Sequence, residues 1–225
     1  MRHKVFLIIK DDSERVKRKN FREIDGVPLH EYYIRQRNAF DVYIDTDSEE
    51  ILDIYNKNPS FPNVVAYERR QEHIEIENSG IDSPAPLMIE RFLTERVERE
   101  EEPIITSHIT SPFLTNQSIL NAINLMNQYD SVSSVGEIQE FVVEHSGHNP
   151  RPINFSYDKI VKTQSLKAVA VLNGAFFVLK KNVFSTNGLQ RISNNHFYQS
   201  ITSREALDID TEFDLTIAQM LAKAE

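Results

Sequence analysis

The 225-residue chain has no cysteine, no tryptophan and only six glycines. Without cysteine it can form no disulfide, no zinc–thiolate centre and no thiol nucleophile. It also lacks any run of about 18 apolar residues, the length a membrane-spanning helix needs. The first apolar stretch, in MRHKVFLII, follows a basic start and is too short for a signal peptide; it has the length of a buried strand. Positive charge is scarce: 25 Lys and Arg face 34 Asp and Glu, a formal net charge of −9. That balance argues against a nucleic-acid-coating surface, which usually runs basic. Any anionic ligand must instead meet a local cluster of Lys and Arg. A cytoplasmic protein with no nucleic-acid and no membrane partner is the simplest expectation.

What is present is enough apolar material for a sizeable core, 40% of residues, in one α/β domain spanning 1–225. Residues 5–9 form a continuous apolar run, as in a parallel strand buried on both faces. Pro28 opens a predicted helix, PLHEYYIRQRNAF. Residues 42–44 and 63–67 read as strands, with Ser48 placed to cap the helix EEILDIYN. Residues 86–97 have helical spacing, 104–105 belong to a further strand, 118–127 to a helix and 131–135 to a strand. This alternation implies a mostly parallel sheet with helices on both faces. Periodicity fades over residues 141–171, which read as an inserted arm of short strands and loops. The parallel pattern is expected to resume at NGAFFVLKK, and residues 212–223 close the chain as a helix.

In an open parallel sheet, ligands bind beyond the C-terminal strand ends. The loop after the first strand reads KDDSERVKRKN, with Lys10, Arg15, Lys17, Arg18 and Lys19 basic. It can cradle a polyphosphate, with Ser13 donating a hydrogen bond; it can equally be a solvated loop. It has no glycine, so it matches neither the P-loop nor the dinucleotide fingerprint.

Beyond this loop, Lys19-Asn20 and Gly26-Val27-Pro28-Leu29 resemble the opening of the acylneuraminate cytidylyltransferases. So do IDTDSEEI (residues 44–51), HITSPFLT (108–115), NGAFFV (173–178) and ALDIDTEFDLTIA, in order along nearly the whole chain. The resemblance implies a Rossmann-like nucleotidyltransferase fold and CTP as a substrate. It makes Lys10, Ser13, Arg15, Lys19 and Asn20 nucleotide contacts, with Arg15 and Lys19 on the outer phosphates and Asn20 on the ribose. Of Arg69-Arg70 after the third strand, it implies Arg70 near the base. His108, Gln164, Asn173 and Phe176 become candidate acceptor contacts. The chain departs from the family at Asp11 and Asp12, where many members have glycines. His108 replaces a glutamine, Leu114 replaces an arginine, and TQSL (163–166) lacks an arginine and a proline.

The segment LDIDTEFD, residues 207–214, packs four acids into eight positions. In extended chain, residues two apart share a face, so Asp208 and Asp210 present two carboxylates together. Thr211 to Asp214 has the form of a capping box. By residue type alone these acids could all belong to a helix start. The resemblance implies that Asp208 and Asp210 bind magnesium, a cation that takes few carboxylates plus phosphate and water, and that they join Arg15 and Lys19 as the catalytic set. The implied activity is transfer of CMP from CTP to an acidic sugar, a nonulosonic acid such as a sialic acid or a related 3-deoxy-2-ketoacid, with pyrophosphate released. The changes at His108 and Leu114 leave another acidic acceptor, such as a phosphonate, as an alternative. Asp11 and Asp12 leave a non-catalytic nucleotide-binding relative. A homodimer built through residues 141–171 is also implied.

Overall fold

Val5, Leu7 and Ile9 pack into one apolar cluster, and Phe6 and Ile8 into another. The first apolar run is therefore a strand, β1 (Lys4–Ile9), buried on both faces. The computed structural model describes residues 2–13, 15–145, 147, 150–159 and 161–224. After β1 come a short hairpin, β2 (Glu23–Ile24) and β3 (Val27–Pro28), then α1 (Leu29–Arg35), β4 (Asp41–Thr46), α2 (Glu49–Lys57) and β5 (Val64–Glu68). The chain continues through α3 (Gln71–Ser79), α4 (Ala85–Arg96), β6 (Pro103–Ser107), α5 (Asn116–Leu125) and β7 (Ser131–Ile138). It ends with β8 (Val143–Glu144), β9 (Arg151–Pro152), β10 (Val169–Lys180), α6 (Lys181–Thr186), β11 (His196–Ser200) and α7 (Glu212–Ala222). The hairpin turn is Asp25-Gly26, both at positive φ (50° and 72°), the combination a tight two-residue turn requires.

Seven strands form one sheet in the order β11-β7-β10-β6-β1-β4-β5. One face carries Tyr33, Ile34, Ile51, Tyr55, Ile119 and Ile123 from α1, α2 and α5. The other carries Met88, Phe92, Leu93 and Phe184 from α4 and α6. The expected mostly parallel sheet with helices on both faces is the observed architecture. One strand departs from it: β10, expected to resume the parallel pattern, is antiparallel to both β6 and β7. A parallel return needs a crossover helix. Between β7 and β10 the described residues contain no α-helix, only the β8–β9 pair, an isolated Ser156–Lys159 bridge and one 3-10 turn, so the chain runs back beside β7. Its register shifts between Leu172 and Phe177, where Gly174 takes a φ of 70°, as a bulge demands.

Three elements had no clear sequence signal. Of the α3 residues only His73 is buried, so its apolar stripe is faint. The six-residue α6 is too short for periodicity. The β11 sequence, HFYQS, mixes polar and aromatic residues on a sheet edge. Ser48 occupies the N-cap position of α2, but its hydroxyl makes no bond to the helix; it donates to Asp11 Oδ1 at 2.8 Å. The capping box of α7 is present in full. Residues 141–171 hold the β8–β9 pair, but their last three already belong to β10. Phe155 makes edge contacts with Phe141 and Tyr157 inside this arm, at 5.1 and 5.6 Å between ring centres. Among the described residues no helix is long and apolar enough to cross a membrane.

Candidate active site

The C-terminal ends of β1 and β6, with α3 and the start of α4, enclose a polar cleft of about 770 Å³. The basic loop forms one wall. Val16 is 1% exposed and anchors the loop among Ile24, Leu29, Phe113 and Ile209, which fixes where its charged neighbours project. Lys10, Ser13, Arg15, Lys19 and Asn20 all line the cleft. Arg18 does not; it pairs with Glu50 at 2.6 Å and stacks over Phe21. Lys17 is exposed and does not line the cleft either.

Asp11 and Asp12 fold this loop. Asp12 Oδ1 accepts from the amides of Ser13 (2.8 Å) and Arg18 (3.2 Å). These bonds hold its carboxyl below the ordinary value, although burial opposes them. The Asp11 amide donates to Asp47 Oδ1 at 2.8 Å, and its carboxylate receives Ser48. The amides of Asp11, Ser13 and Arg18 are thus already bonded to carboxylates. Attraction for phosphate must come from side chains.

Asn20, 6% exposed, donates to the Lys10 carbonyl at 2.7 Å and pins the two ends of the loop together. Lys19 donates to the Ile209 carbonyl at 2.6 Å and lies 3.5 Å from Asp210. Arg15 pairs with Asp210 at 2.8 Å. Lys10 pairs with Glu77.

In the extended segment before α7, Ile209 is fully buried, and its amide bonds the carbonyl of the cleft residue Thr110 at 2.9 Å. The flanking Asp208 and Asp210 share the opposite face, as alternation requires; neither lines the cleft, but they border it through Arg15 and Lys19, which pair with Asp210, and Thr110, which bonds Asp208. Asp208 Oδ1 is buried with no hydrogen-bond partner. Burial, and to a smaller degree the Asp210 charge, raises the Asp208 carboxyl above its ordinary value against the pull of Thr110, Lys19 and Arg15. An orphaned, desolvated carboxylate oxygen beside a second carboxylate suits a hard divalent cation that takes its other ligands from phosphate and water. Among the described residues, no group of three or more His, Asp or Glu is arranged to hold a metal. The protein would supply this pair alone.

Asp214 stands apart from the pair. Its Oδ2 accepts from the Thr211 amide and hydroxyl, both at 2.7 Å, and from the Asp210 amide at 3.1 Å. Burial would raise its carboxyl, but the bonds from Thr211 and Asp210 outweigh that and hold it low.

The remaining sequence candidates scatter. Arg70 pairs with Glu72 (3.3 Å) and Glu95 (2.8 Å) outside the cleft. Its neighbour Arg69 is the interior residue: its side chain is 0% exposed and meets Asp45 (2.8 Å), Asp47 (3.3 Å) and Glu77 (2.9 Å). It braces β4, α3 and the loop end from beneath. Nothing in the sequence separated two adjacent arginines, one turned inward and one outward.

His108 lines the cleft at the end of β6. Protein surrounds the ring, yet the open cleft leaves it within reach of water. Desolvation, then the charges of Arg191 and Lys19, lower its pKa from the ordinary 6.5, so it is neutral at pH 7. Asn173 is half-buried, and its Oδ1 accepts from Ser134 Oγ (2.6 Å) and the Ala175 amide (3.2 Å). Phe176 is fully buried in the core, so its ring cannot touch a ligand in the cleft. Gln164 sits in the 3-10 turn of the arm. Leu114 is fully buried too; its carbonyl accepts from Arg37 at 2.7 Å, which holds the HITSPFLT loop in place.

A second hollow of about 690 Å³ lies beside Tyr32, Phe113 and Arg204. It contains none of the loop residues, so the polar cleft is the candidate site.

The family model that matches is described as cytidylyltransferase and covers residues 10–216. No curated protein sequence matches the chain. Among solved structures, the chain is similar to a CMP:2-keto-3-deoxy-manno-octonic acid synthetase complexed with CTP (TM-score 0.66, 12% identity, 100% of each chain covered). It is also similar to a 4-diphosphocytidyl-2C-methyl-D-erythritol synthase from Anaerococcus prevotii (0.62, 12%, 99% of this chain and 96% of that one). A third is molybdopterin-guanine dinucleotide biosynthesis protein A from Archaeoglobus fulgidus (0.57, 11%, 99% and 100%). At these identities the likeness is one of fold.

Proposed function

The chain belongs to the cytidylyltransferase family, and on that footing we propose that it transfers the CMP unit of CTP to an acidic sugar. The acceptor class is a nonulosonic acid such as a sialic acid, or a related 3-deoxy-2-ketoacid. An acceptor hydroxyl oxygen attacks the α-phosphorus of CTP, the bond from that phosphorus to the β-phosphate oxygen breaks, and pyrophosphate leaves. Catalysis of this kind is mostly positioning and charge neutralisation.

One observation carries the reading: Arg15 and Lys19 converge on Asp210 at 2.8 and 3.5 Å, beside the partnerless oxygen of Asp208. Two cations in a cleft with two carboxylates at its border are what a metal–triphosphate needs from a protein. On binding, the β- and γ-phosphates compete with Asp210 for Arg15 and Lys19, and Asp210 is released to act with Asp208. Those two residues would hold magnesium, which when bound polarises the α-phosphate. Neutral His108 offers a ring nitrogen as a hydrogen-bond acceptor for an acceptor hydroxyl. The similarity to a CTP-complexed synthetase of a ketoacid sugar supports the acceptor class.

The test is pyrophosphate release with CTP, ATP, GTP and UTP in turn, each against a panel of ketoacid sugars and one phosphonate. The reading expects release with CTP and at least one ketoacid sugar. Release with the phosphonate alone would replace the acceptor class, and no preference for CTP would sink the nucleotide assignment.

A further inference from the structure

Arg191 lies in the loop between α6 and β11. Its guanidinium stacks 4.0 Å over the ring of Phe177, a residue only 4% exposed. Among the described residues no carboxylate comes within ion-pair distance of it, although acids outnumber bases 34 to 25 in the chain. The interior arginines differ. Arg69 meets three carboxylates, and Arg37, which also has no carboxylate partner among the described residues, donates instead to the Asn116 amide oxygen and the Leu114 carbonyl. An arginine keeps its charge when partly withdrawn from water, and holding it there without a counter-ion is unfavourable. A ligand that brings an anion relieves this.

The sheet register shows where such a ligand would sit. Phe177 in β10 is opposite Thr106 in β6. His108 follows Thr106 by two residues, just past the end of β6 at Ser107. Phe177 shares its apolar cluster with Met88, and Met88 and His108 both line the cleft. Arg191, over Phe177, therefore stands toward the His108 end of the cleft without lining it. The charge of Arg191 is felt at the His108 ring. The basic loop is on the other side, since β1 and β10 flank β6 from opposite sides. Cations thus stand on both sides of β6: Arg15 and Lys19 on the β1 side, Arg191 on the β10 side.

We infer that Arg191 binds the carboxylate of the acceptor and sets the enzyme's preference for acidic sugars. A guanidinium offers a carboxylate two parallel N–H donors, and with its plane fixed on Phe177 it is oriented before the ligand arrives. The inference rests on the acceptor class proposed above.

The experiment compares the wild type, Arg191→Met and Arg191→Lys, using 2-keto-3-deoxy-manno-octonic acid and its methyl ester as acceptors. It reads pyrophosphate release, KM for each substrate and thermal stability. Arg191→Met should raise the acceptor KM about tenfold to a hundredfold and leave the CTP KM and melting temperature near wild type. Arg191→Lys, which keeps a charge, should recover part of the loss. The methyl ester should be a poor acceptor for the wild type and no poorer for Arg191→Met. An unchanged acceptor KM in Arg191→Met, with the wild type active, overturns the role of Arg191 alone. A rise in CTP KM instead of acceptor KM overturns it too, by moving Arg191 to the nucleotide. A wild type inactive with this acid and with every other ketoacid sugar of the panel overturns the acceptor class, and this assignment with it.

Discussion

The backbone amide of Asp210 donates to Asp214 Oδ2 at 3.1 Å. The capping box that starts α7 therefore also positions one of the two carboxylates of the candidate metal pair. This link predicts different outcomes for neighbouring acids. Asp208→Asn and Asp210→Asn should each lower turnover by orders of magnitude with little loss of melting temperature, because they remove charge from a pair that repels itself without a cation. Asp214→Asn should cost about 1 kcal/mol of stability and lower turnover only modestly, through looser placement of Asp210. Because the folded value of the Asp214 carboxyl is depressed, its stabilisation is complete above about 3.8, the ordinary value, and is lost as pH falls through the lower folded value. The melting-temperature gap between wild type and Asp214→Asn should accordingly close in strong acid. Near-normal turnover of both Asp208→Asn and Asp210→Asn at saturating magnesium would refute the pair's role.

Arg15 and Lys19 are separable by stability. Each replacement with alanine should weaken CTP binding about tenfold to a hundredfold, the value of a charge-assisted contact, and weaken CMP binding much less. Lys19→Ala should also lower the melting temperature, since its ammonium bonds the Ile209 carbonyl from a side chain only 12% exposed. Arg15, with 68% of its side chain exposed, should not. Calorimetry with CTP and CMP decides; equal losses for the two nucleotides would remove these residues from the outer phosphates.

A buried histidine gives the fold a pH dependence away from the site. His30, 1% exposed, has Nδ1 2.7 Å from the Tyr55 hydroxyl. Burial lowers its pKa from 6.5 to about 4, against the charges of Glu31 and Glu50. Below 6.5 the unfolded chain takes up a proton that the folded chain refuses, so stability is full above 6.5 and declines as pH falls toward 4. The loss should be of the order of 3 kcal/mol. Urea melts of wild type and His30→Gln across this window should show the slope in the wild type and a shallower one in the variant; parallel slopes would exclude His30 as the cause.

The arm exposes Phe141, Ile153, Tyr157 and Val171 at 44, 56, 65 and 42%, an apolar surface on a chain otherwise rich in acids. A homodimer through this surface is expected in light scattering at micromolar concentration, and Ile153→Glu with Tyr157→Glu should yield monomers. A wild type that is monomeric under these conditions and fully active would rule the dimer out.

The fold was legible where burial writes a strong pattern. The continuous run of β1, the helical spacing of Leu87, Ile89, Phe92 and Leu93 in α4, and the Thr211–Asp214 box are local signals, and each element formed, although Leu87 is exposed and Met88 takes its place in the core. The direction of β10 was not legible, because it depends on how the arm returns the chain, and no residue of NGAFFVLKK encodes that. In the site, the loop after β1 and the Asp208/Asp210 alternation could be found from strand ends and period. Arg69 could not be told from Arg70, since burial of one of two adjacent arginines is decided by Asp45, Asp47 and Glu77, which are distant in sequence. Phe176 was placed by its neighbours in a motif, while the alternation of a fully buried strand turns its ring into the core. Arg191 carries no motif; only the stacking on Phe177 and the pairing of β10 with β6 bring it near His108.

The most direct measurement is phosphorus NMR of the wild type incubated with CTP, magnesium and 2-keto-3-deoxy-manno-octonic acid or another ketoacid sugar of the panel. The proposed reaction predicts one new phosphodiester signal rising in step with free pyrophosphate. Formation of CDP with orthophosphate, or of CMP with pyrophosphate and no phosphodiester, would contradict it.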